Sequence, residues 1–367
     1  MHNQIDIPYK LKLLNSNSEV ANELISFIEE QEFRNIAFIT SKTPNHLLTN
    51  SLEVAIFDHV DKLKTFQVVS PSISFVNQLP LAEFDVVVGI GGGKVIDTAK
   101  YAGFVNEIPC ISIPTAISND GICSPIAVLK ERENKYKSLG AEIPIALLVP
   151  MHLIEKSSED GILSGIGDII SNLSAIEDWE LSKKETDEYV DDYAVMISKT
   201  AALTVLLEIK NAFLLKKTRE SFLKDNLKII VESLALSGIA MEIAGTSRPA
   251  SGGEHLISHS IDELFGAVKP HGIQVAFGSL ITAFIRAELG MVSYSAFEEM
   301  KAAFSYIGLP VTLSQLGISK QKLIEAIIHA PNSRPGKYTI LNKIKLDEKN
   351  IDDLLTKMFA YTASAKV

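Results

Sequence analysis

The chain has 367 residues, which at ~150 residues per domain points to two domains. Hydrophobic residues make up 46% and charged residues 22%, spread along the whole length, which excludes a disordered chain; the 21 Gly and 14 Pro fall without the period of a fibrous repeat. The formal net charge is -10, from 35 Lys and Arg against 45 Asp and Glu, and no basic stripe stands out, so no nucleic-acid partner is expected.

The opening segment, MHNQIDIPYKLKLL, lacks a charged region followed by an apolar run and does not read as a signal peptide. No uncharged apolar stretch reaches membrane-spanning length, so no membrane partner is expected and the chain reads as a cytoplasmic protein. Glu19 to Glu30 has helical spacing, with Val20, Leu24, Ile25 and Ile28 on one face. Short apolar runs then predict strands at Ile36 to Ile39, Val54 to Phe57, Phe66 to Val69, Asp85 to Ile90, Cys110 to Ile113 and Ile145 to Val149. Most are uniformly apolar instead of alternating, as in strands covered on both faces, and helices between them favour a mostly parallel, Rossmann-like sheet.

Past Pro150 the strand signals nearly vanish. Long amphipathic segments replace them at Tyr189 to Leu215, Arg219 to Ala244, His271 to Leu289 and Ile351 to Tyr361. The expected fold class is therefore an α/β domain over residues 1–150 followed by an all-helical domain over 151–367, with the active site in a cleft between them. The basic cluster Lys216-Lys217-Thr218-Arg219 reads as a solvated connection between helices. The two cysteines, Cys110 and Cys123, sit in apolar stretches without CxxC spacing and read as buried thiols of a reducing compartment.

Gly89-Ile90-Gly91-Gly92-Gly93-Lys94 follows a predicted strand and opens a predicted helix. Adjacent glycines let the backbone approach a phosphate, and a helix N-terminus offers unpaired N–H groups to it. Val95 stands where a P-loop needs Ser or Thr, and Lys94 where a dinucleotide fingerprint has its third glycine. Pyrophosphate binding and a tight ligand-free turn both remain open readings. The next strand runs into Pro114-Thr115-Ala116-Ile117-Ser118-Asn119-Asp120-Gly121, which leaves the sheet at the same end; Thr115, Ser118 and Asp120 could meet a nucleotide or polyol, or serve only the turn.

Of eight histidines, three fall between positions 255 and 271. His255 and His259 share a helix face, Gly266 and Pro270 break that helix, and His271 opens the next. A carboxylate is needed to complete a divalent site, and Asp168 in Gly165-Ile166-Gly167-Asp168 offers one, unless it is simply a helix N-cap.

Together these stretches resemble the glycerol-1-phosphate dehydrogenase family, in the group that also holds glycerol dehydrogenase, iron-containing alcohol dehydrogenases and dehydroquinate synthase. The matching segments are GIGGGKVIDTAK (89–100), IPTAISNDGICSP (113–125), GIGDIISNLSAIEDW (165–179), SRPASGGEHLISHSID (247–262) and HGIQVAFG (271–278). The resemblance implies that Asp168, His255 and His271 bind zinc, or another divalent metal such as nickel or iron, and that His259 faces the substrate. It implies that Gly91, Gly92, Gly93, Lys94, Val95, Ile96 and Asp97, with Thr115, Ser118 and Ser124, hold NAD or NADP. Residues 1–150 would then be the dinucleotide-binding domain and 151–367 the metal- and substrate-binding domain. Asp120 would contact substrate hydroxyls, and Asp120 and His259 are the expected catalytic side chains.

The implied activity is reduction of dihydroxyacetone phosphate to sn-glycerol 1-phosphate by a homo-oligomer, on a small phosphorylated substrate. The alternatives are a reductase of another phosphorylated or phosphonylated carbonyl compound, a glycerol dehydrogenase, a dehydroquinate-synthase-like cyclase, or a nucleotide binder without chemistry. Three departures from the family pattern, Asn119, Gly253 and Ile273, each remove a polar group and are expected near the pocket. Arg248 is the candidate phosphate-binding group. Asp58, after the predicted strand Val54 to Phe57, is a candidate for a ribose hydroxyl.

Overall fold

The apolar runs of the first half form one sheet because each strand is buried on both sides. The computed structural model describes residues 10–132 and 135–361, so residues 1–9 of the segment read above for a targeting signal lie outside it. Contacts gather the chain into two units: the first extends through Ile162 and includes Leu234–Ile243, and the second comprises Leu163–Ser233 and the residues from Ala244 onwards.

In the first unit, strands β1 (Lys10–Leu14), β2 (Asn35–Thr40), β3 (Lys62–Gln67), β4 (Val86–Gly91) and β5 (Cys110–Pro114) join a later strand, β8 (Ala146–Pro150), in the order β1-β8-β5-β4-β2-β3. Every neighbouring pair is parallel. Between β5 and β8, strands β6 (Ile126–Arg132) and β7 (Lys135–Gly140) make a separate antiparallel pair. Side chains alternate across the sheet: Ile36, Phe38, Val86, Val88 and Ile90 enter one apolar cluster, while Ala37, Ile39 and Val87 enter the other. One cluster is closed by helix α1 (Asn17–Glu30) through Val20, Leu24 and Phe27, the other by α2 (Gly93–Asn106) through Val95, Ala99 and Ala102.

One predicted strand is a helix. Val54 to Phe57 falls in the helix Asn50–Ile56 and the single turn Phe57–His59. Leu52 and Ile56, four apart, are buried, whereas Val54 and Phe57 are 80% and 71% exposed, so the period is helical and a four-residue apolar run was too short to reveal it. Asp58 consequently follows no strand; it is exposed in that turn.

The long helices of the later chain are α3 (Glu159–Thr186), α4 (Asp192–Leu214), α5 (Arg219–Asp225), α6 (Leu227–Ala244), α7 (Gly253–Phe265), α8 (His271–Glu288), α9 (Tyr294–Ile307), α10 (Lys320–Ser333) and α11 (Glu348–Ala360). Among the described residues no strand follows Pro150, and no helix is long and apolar enough to cross a membrane. The single helix expected over Arg219 to Ala244 is broken at Asn226, whose side-chain amide donates to Phe222 O at 2.9 Å. The second half of α6 packs with the first unit: a Cβ on Gly238 would lie 2.2 Å from Cys123 O, and Ser237 Oγ donates to Asp120 Oδ2 at 2.9 Å. Cys110 and Cys123 are both buried free thiols, pushed up to about 12 by that burial.

Candidate metal centre and nucleotide turn

Three helices of the second unit bring the candidate metal ligands together, and glycine lets them do so. A Cβ on Gly167 would lie 2.3 Å from Gly272 O, and one on Gly272 would lie 1.9 Å from Ser164 O, so α3 and the start of α8 touch backbone to backbone. Gly278 meets Glu254 O in the same way, at 2.7 Å, joining α8 to α7. Asp168 then lies well inside the 28-residue α3, buried at 4% exposure, which rules out the N-cap reading.

His255 Nε2 stands 3.6 Å and His271 Nε2 3.9 Å from Asp168 Oδ1, and one ligand atom from each residue lies within 4.8 Å of the others. The remaining ring nitrogens are engaged behind them. Glu254 Oε1 accepts from His255 Nδ1 at 3.0 Å, and Ser258 Oγ is 3.4 Å from His271 Nδ1. Outer partners of this kind fix ring orientation and leave the other nitrogen for a metal. Two imidazoles and one carboxylate, converging and braced, fit a divalent ion with coordination positions left over.

Electrostatics separates the rings. Burial would lower His255, but its hydrogen bonds to Asp168 and Glu254 raise it to about 9; His271 is lowered to about 4 by burial and by the charge on His255. His259 is half-buried, stacked on His271 with centroids 5.7 Å apart. It is driven well below its ordinary value by burial, then by His271, His255, Arg334 and Lys337, and so stands neutral at physiological pH.

Behind the centre lies a buried polar network that the sequence reading missed. Glu254 also accepts from Ser174 Oγ at 2.8 Å and from Gly252 N–H. Arg286, 2% exposed, donates to Asp178 Oδ1 at 2.5 Å and to Ser174 O at 3.0 Å, and Asp178 accepts from Gly253 N–H at 2.6 Å. Glu254 beside His255 in the sequence was the one available signal.

Arg248 is not poised for a ligand. It is 4% exposed and bound by Glu188, by Ser182 Oγ and by Tyr338 O at 2.7 Å. Nor do the three departures form a group. Gly253 faces Asp178, whose Oδ2 is 3.2 Å from where its Cβ would lie, and Ile273 is 4% exposed within the core, so neither opens a pocket. Asn119 alone lies in the nucleotide-turn loop, accepting from Gly121 N–H at 3.1 Å.

In the first unit the glycine turn joins β4 to α2 at the carboxyl end of the parallel strands, and Gly91 pairs with Pro114, where the second loop leaves. Gly89 and Gly91 are packing glycines: a Cβ would lie 2.6 Å from Ala99 Cβ and 2.8 Å from Val95 Cβ respectively. Gly92 is different. It caps α2 with no side-chain hydrogen bond, and a Cβ there would meet nothing within 4 Å. Gly93 faces Asn119 Oδ1 at 3.7 Å and Ser118 Oγ at 3.8 Å. An uncapped helix start with open space before it fits an anion.

Lys94 is exposed; Thr115 and Ser118 are half-buried, Thr115 N–H donating to Gly91 O at 2.9 Å. Val95 and Ile96 point into the core, leaving only their main chain toward the turn, where both N–H groups donate to Gly92 O. Asp97 and Ser124 face inward onto Lys100, itself fully buried: Lys100 Nζ is 3.1 Å from Asp97 Oδ1 and donates to Ser124 O at 3.0 Å.

Comparison with known proteins gives the chain a family and a fold. The iron-containing alcohol dehydrogenase family model matches residues 15–157. A glycerol-1-phosphate dehydrogenase [NAD(P)+] of Methanococcus aeolicus is 34% identical over 87% of this chain and 90% of its own. One from Metallosphaera sedula is 38% identical over 77% of this chain and 78% of its own. Among solved structures, glycerol dehydrogenase from Schizosaccharomyces pombe shares the fold with a TM-score of 0.75 at 19% identity, covering 97% of this chain and 90% of that one.

Proposed function

Since the chain belongs to the glycerol-1-phosphate dehydrogenase family, within the iron-containing alcohol dehydrogenases, we propose that it reduces dihydroxyacetone phosphate to sn-glycerol 1-phosphate with NADH or NADPH. One observation carries the reading beyond likeness: Asp168, His255 and His271 converge within 4.8 Å, braced by Glu254 and Ser258. The first unit serves as the nucleotide-binding part and the second as the metal- and substrate-binding part.

Asp168, His255 and His271 would hold a divalent metal, zinc in the first instance, which when bound supplies Lewis acidity to the substrate's carbonyl oxygen. A bound nicotinamide dinucleotide would supply the hydride for the C2 carbon, with one proton completing the C2 hydroxyl, so that NAD(P)H and H⁺ would be consumed and NAD(P)⁺ released. The uncapped start of α2, Gly92 and Gly93 with Lys94 beside them, receives the pyrophosphate, and Thr115 and Ser118 add hydroxyls. Val95 and Ile96 shape that helix start from within, and Asp97 and Ser124 stabilise it through Lys100. His259, neutral and half-buried, offers one N–H and one lone pair, so it can relay a proton from water to the C2 oxygen. Asp120, oriented by Ser237, takes a substrate hydroxyl.

The same reading expects a cytoplasmic homo-oligomer, for which Met196, Leu203 and Leu207, exposed along α4, offer an apolar face. The deciding experiment is oxidation of NADH and NADPH by zinc-loaded protein with dihydroxyacetone phosphate. Turnover that stops on chelation and yields the sn-1 enantiomer supports the proposal. Equal turnover of unphosphorylated dihydroxyacetone would move the assignment to a polyol dehydrogenase, and absence of turnover in protein that binds both metal and nucleotide would overturn it.

A further inference from the structure

The second unit keeps two cations close to His259 without giving them a carboxylate. Lys337 Nζ donates to Ser251 Oγ at 2.9 Å and reaches Ser247 Oγ at 3.5 Å, neutral partners both. The Arg334 guanidinium makes no hydrogen bond or ion pair among the described residues, although its carbonyl accepts from Lys337 N–H at 3.2 Å. Both side chains are half-buried, and both contribute to holding His259 neutral. Burial and the like charges of Arg248 and Arg334 push the Lys337 ammonium down to about 7, against the longer-range pull of Glu254 and Asp178.

The neighbouring arginines sharpen the contrast. Arg248 is neutralised by Glu188, and Arg286 by Asp178 and Glu177. Arg248 and Asp178, the partner of Arg286, also hold the segment that carries the two unneutralised cations. Arg248 Nη1 donates to Tyr338 O at 2.7 Å, Asp178 accepts from Ile340 N–H at 2.8 Å, and Gly336 makes the turn between Arg334 and Lys337 at φ +88°. A partly buried cation left with hydroxyl partners only is an unfavourable arrangement unless an anion arrives to offset it.

Resting on the functional reading above, we propose that Lys337 and Arg334, with the Ser251 hydroxyl, form the subsite that receives the phosphate monoester of the substrate. A dianion answers two cations, whereas an unphosphorylated triose leaves them unpaired, so the subsite sets specificity by difference. Ser251 lies two residues before α7, the helix that carries His255 and His259, so the phosphate and the reacting carbonyl would be read by one short stretch of chain.

The test uses zinc-loaded enzyme and the variants Lys337→Met, Arg334→Gln and Lys337→Arg. Lys337→Met and Arg334→Gln should each raise KM for dihydroxyacetone phosphate by roughly 10- to 100-fold, the loss expected for a charged hydrogen bond. Their kcat/KM for unphosphorylated dihydroxyacetone should fall by a much smaller factor, and Lys337→Arg should recover most of the loss with the phosphorylated ketone. Inorganic phosphate, followed by its ³¹P linewidth on titration with protein, should bind the parent and not Lys337→Met. An unchanged KM in both charge-removing variants, or equal losses with both ketones, would overturn the subsite. Should the parent fail to turn over dihydroxyacetone phosphate, the functional reading falls, and the ³¹P titration still decides the subsite. If Lys337→Met does not fold, Arg334→Gln decides it by the same measurements.

Discussion

The candidate metal centre and the glycine turn are built to meet a ligand in opposite ways. At the candidate centre, side chains supply the ligand atoms, and glycines at 167, 272 and 278 allow three helices close enough to bring those side chains together. At the turn, the proposed binding falls mainly to the main chain at Gly92 and Gly93, with Lys94, Thr115 and Ser118 beside it, while Val95 and Ile96 are spent on packing and Asp97 and Ser124 are turned onto Lys100. A site made of functional groups is broken by removing one; a site made of space and N–H groups is broken by adding atoms.

The largest effect should follow Asp168→Asn. It removes the carboxylate that both imidazoles face, so metal content of the purified protein should fall at least about tenfold while nucleotide binding persists. Gly92→Val is the reciprocal change. No neighbour lies within 4 Å of its Cβ direction and its φ of -75° suits any residue, so the thermal midpoint should barely move while NAD(H) affinity drops by roughly 100-fold. A large drop in midpoint would show that this glycine serves packing, as Gly91 does.

Glu254→Gln weakens the bracing of His255 without touching a ligand atom, and metal affinity should fall about 10- to 100-fold by competition with a chelating dye. The smallest effect concerns Arg248. Burial raises Glu188, but hydrogen bonds from Arg248 and Ser182 outweigh it and hold the carboxyl below its ordinary 4.5. A depressed carboxylate contributes stability above its unfolded value and loses it as pH falls through the folded one. Acid melting below about pH 4.5 should therefore be shallower in Glu188→Gln than in the parent, a modest difference since the group is partly exposed.

The same contrast explains what was legible in the sequence. Histidine is scarce and chemically specific, so His255, His259 and His271 could be singled out, and the Gly266–Pro270 break between their helices stands where expected. The parallel sheet was legible because strands covered on both faces must be apolar throughout, as Val86-Val87-Val88 is. Val54 to Phe57 was misread because a short apolar run has no measurable period. Arg248 was misread because its partner Glu188 lies 60 positions away and leaves no local trace. Lys337 and Arg334 escaped notice for the converse reason: their meaning lies in the carboxylates they lack, and an absent partner has no residue to mark it.

The return of Leu234–Ile243 to the first unit bears on how the protein is made. Gly238 lies against the Cys123 main chain and Ser237 bonds Asp120, so part of the wall behind the Thr115–Asp120 loop comes from much later in the sequence. During translation the sheet can assemble once β8 has emerged, but that wall must wait for some ninety further residues to leave the ribosome, from Pro150 to Ile243. A nascent chain paused between those points would carry a finished sheet and an uncovered Cys123, a stage at which a thiol-reactive probe should label it and after which it should not.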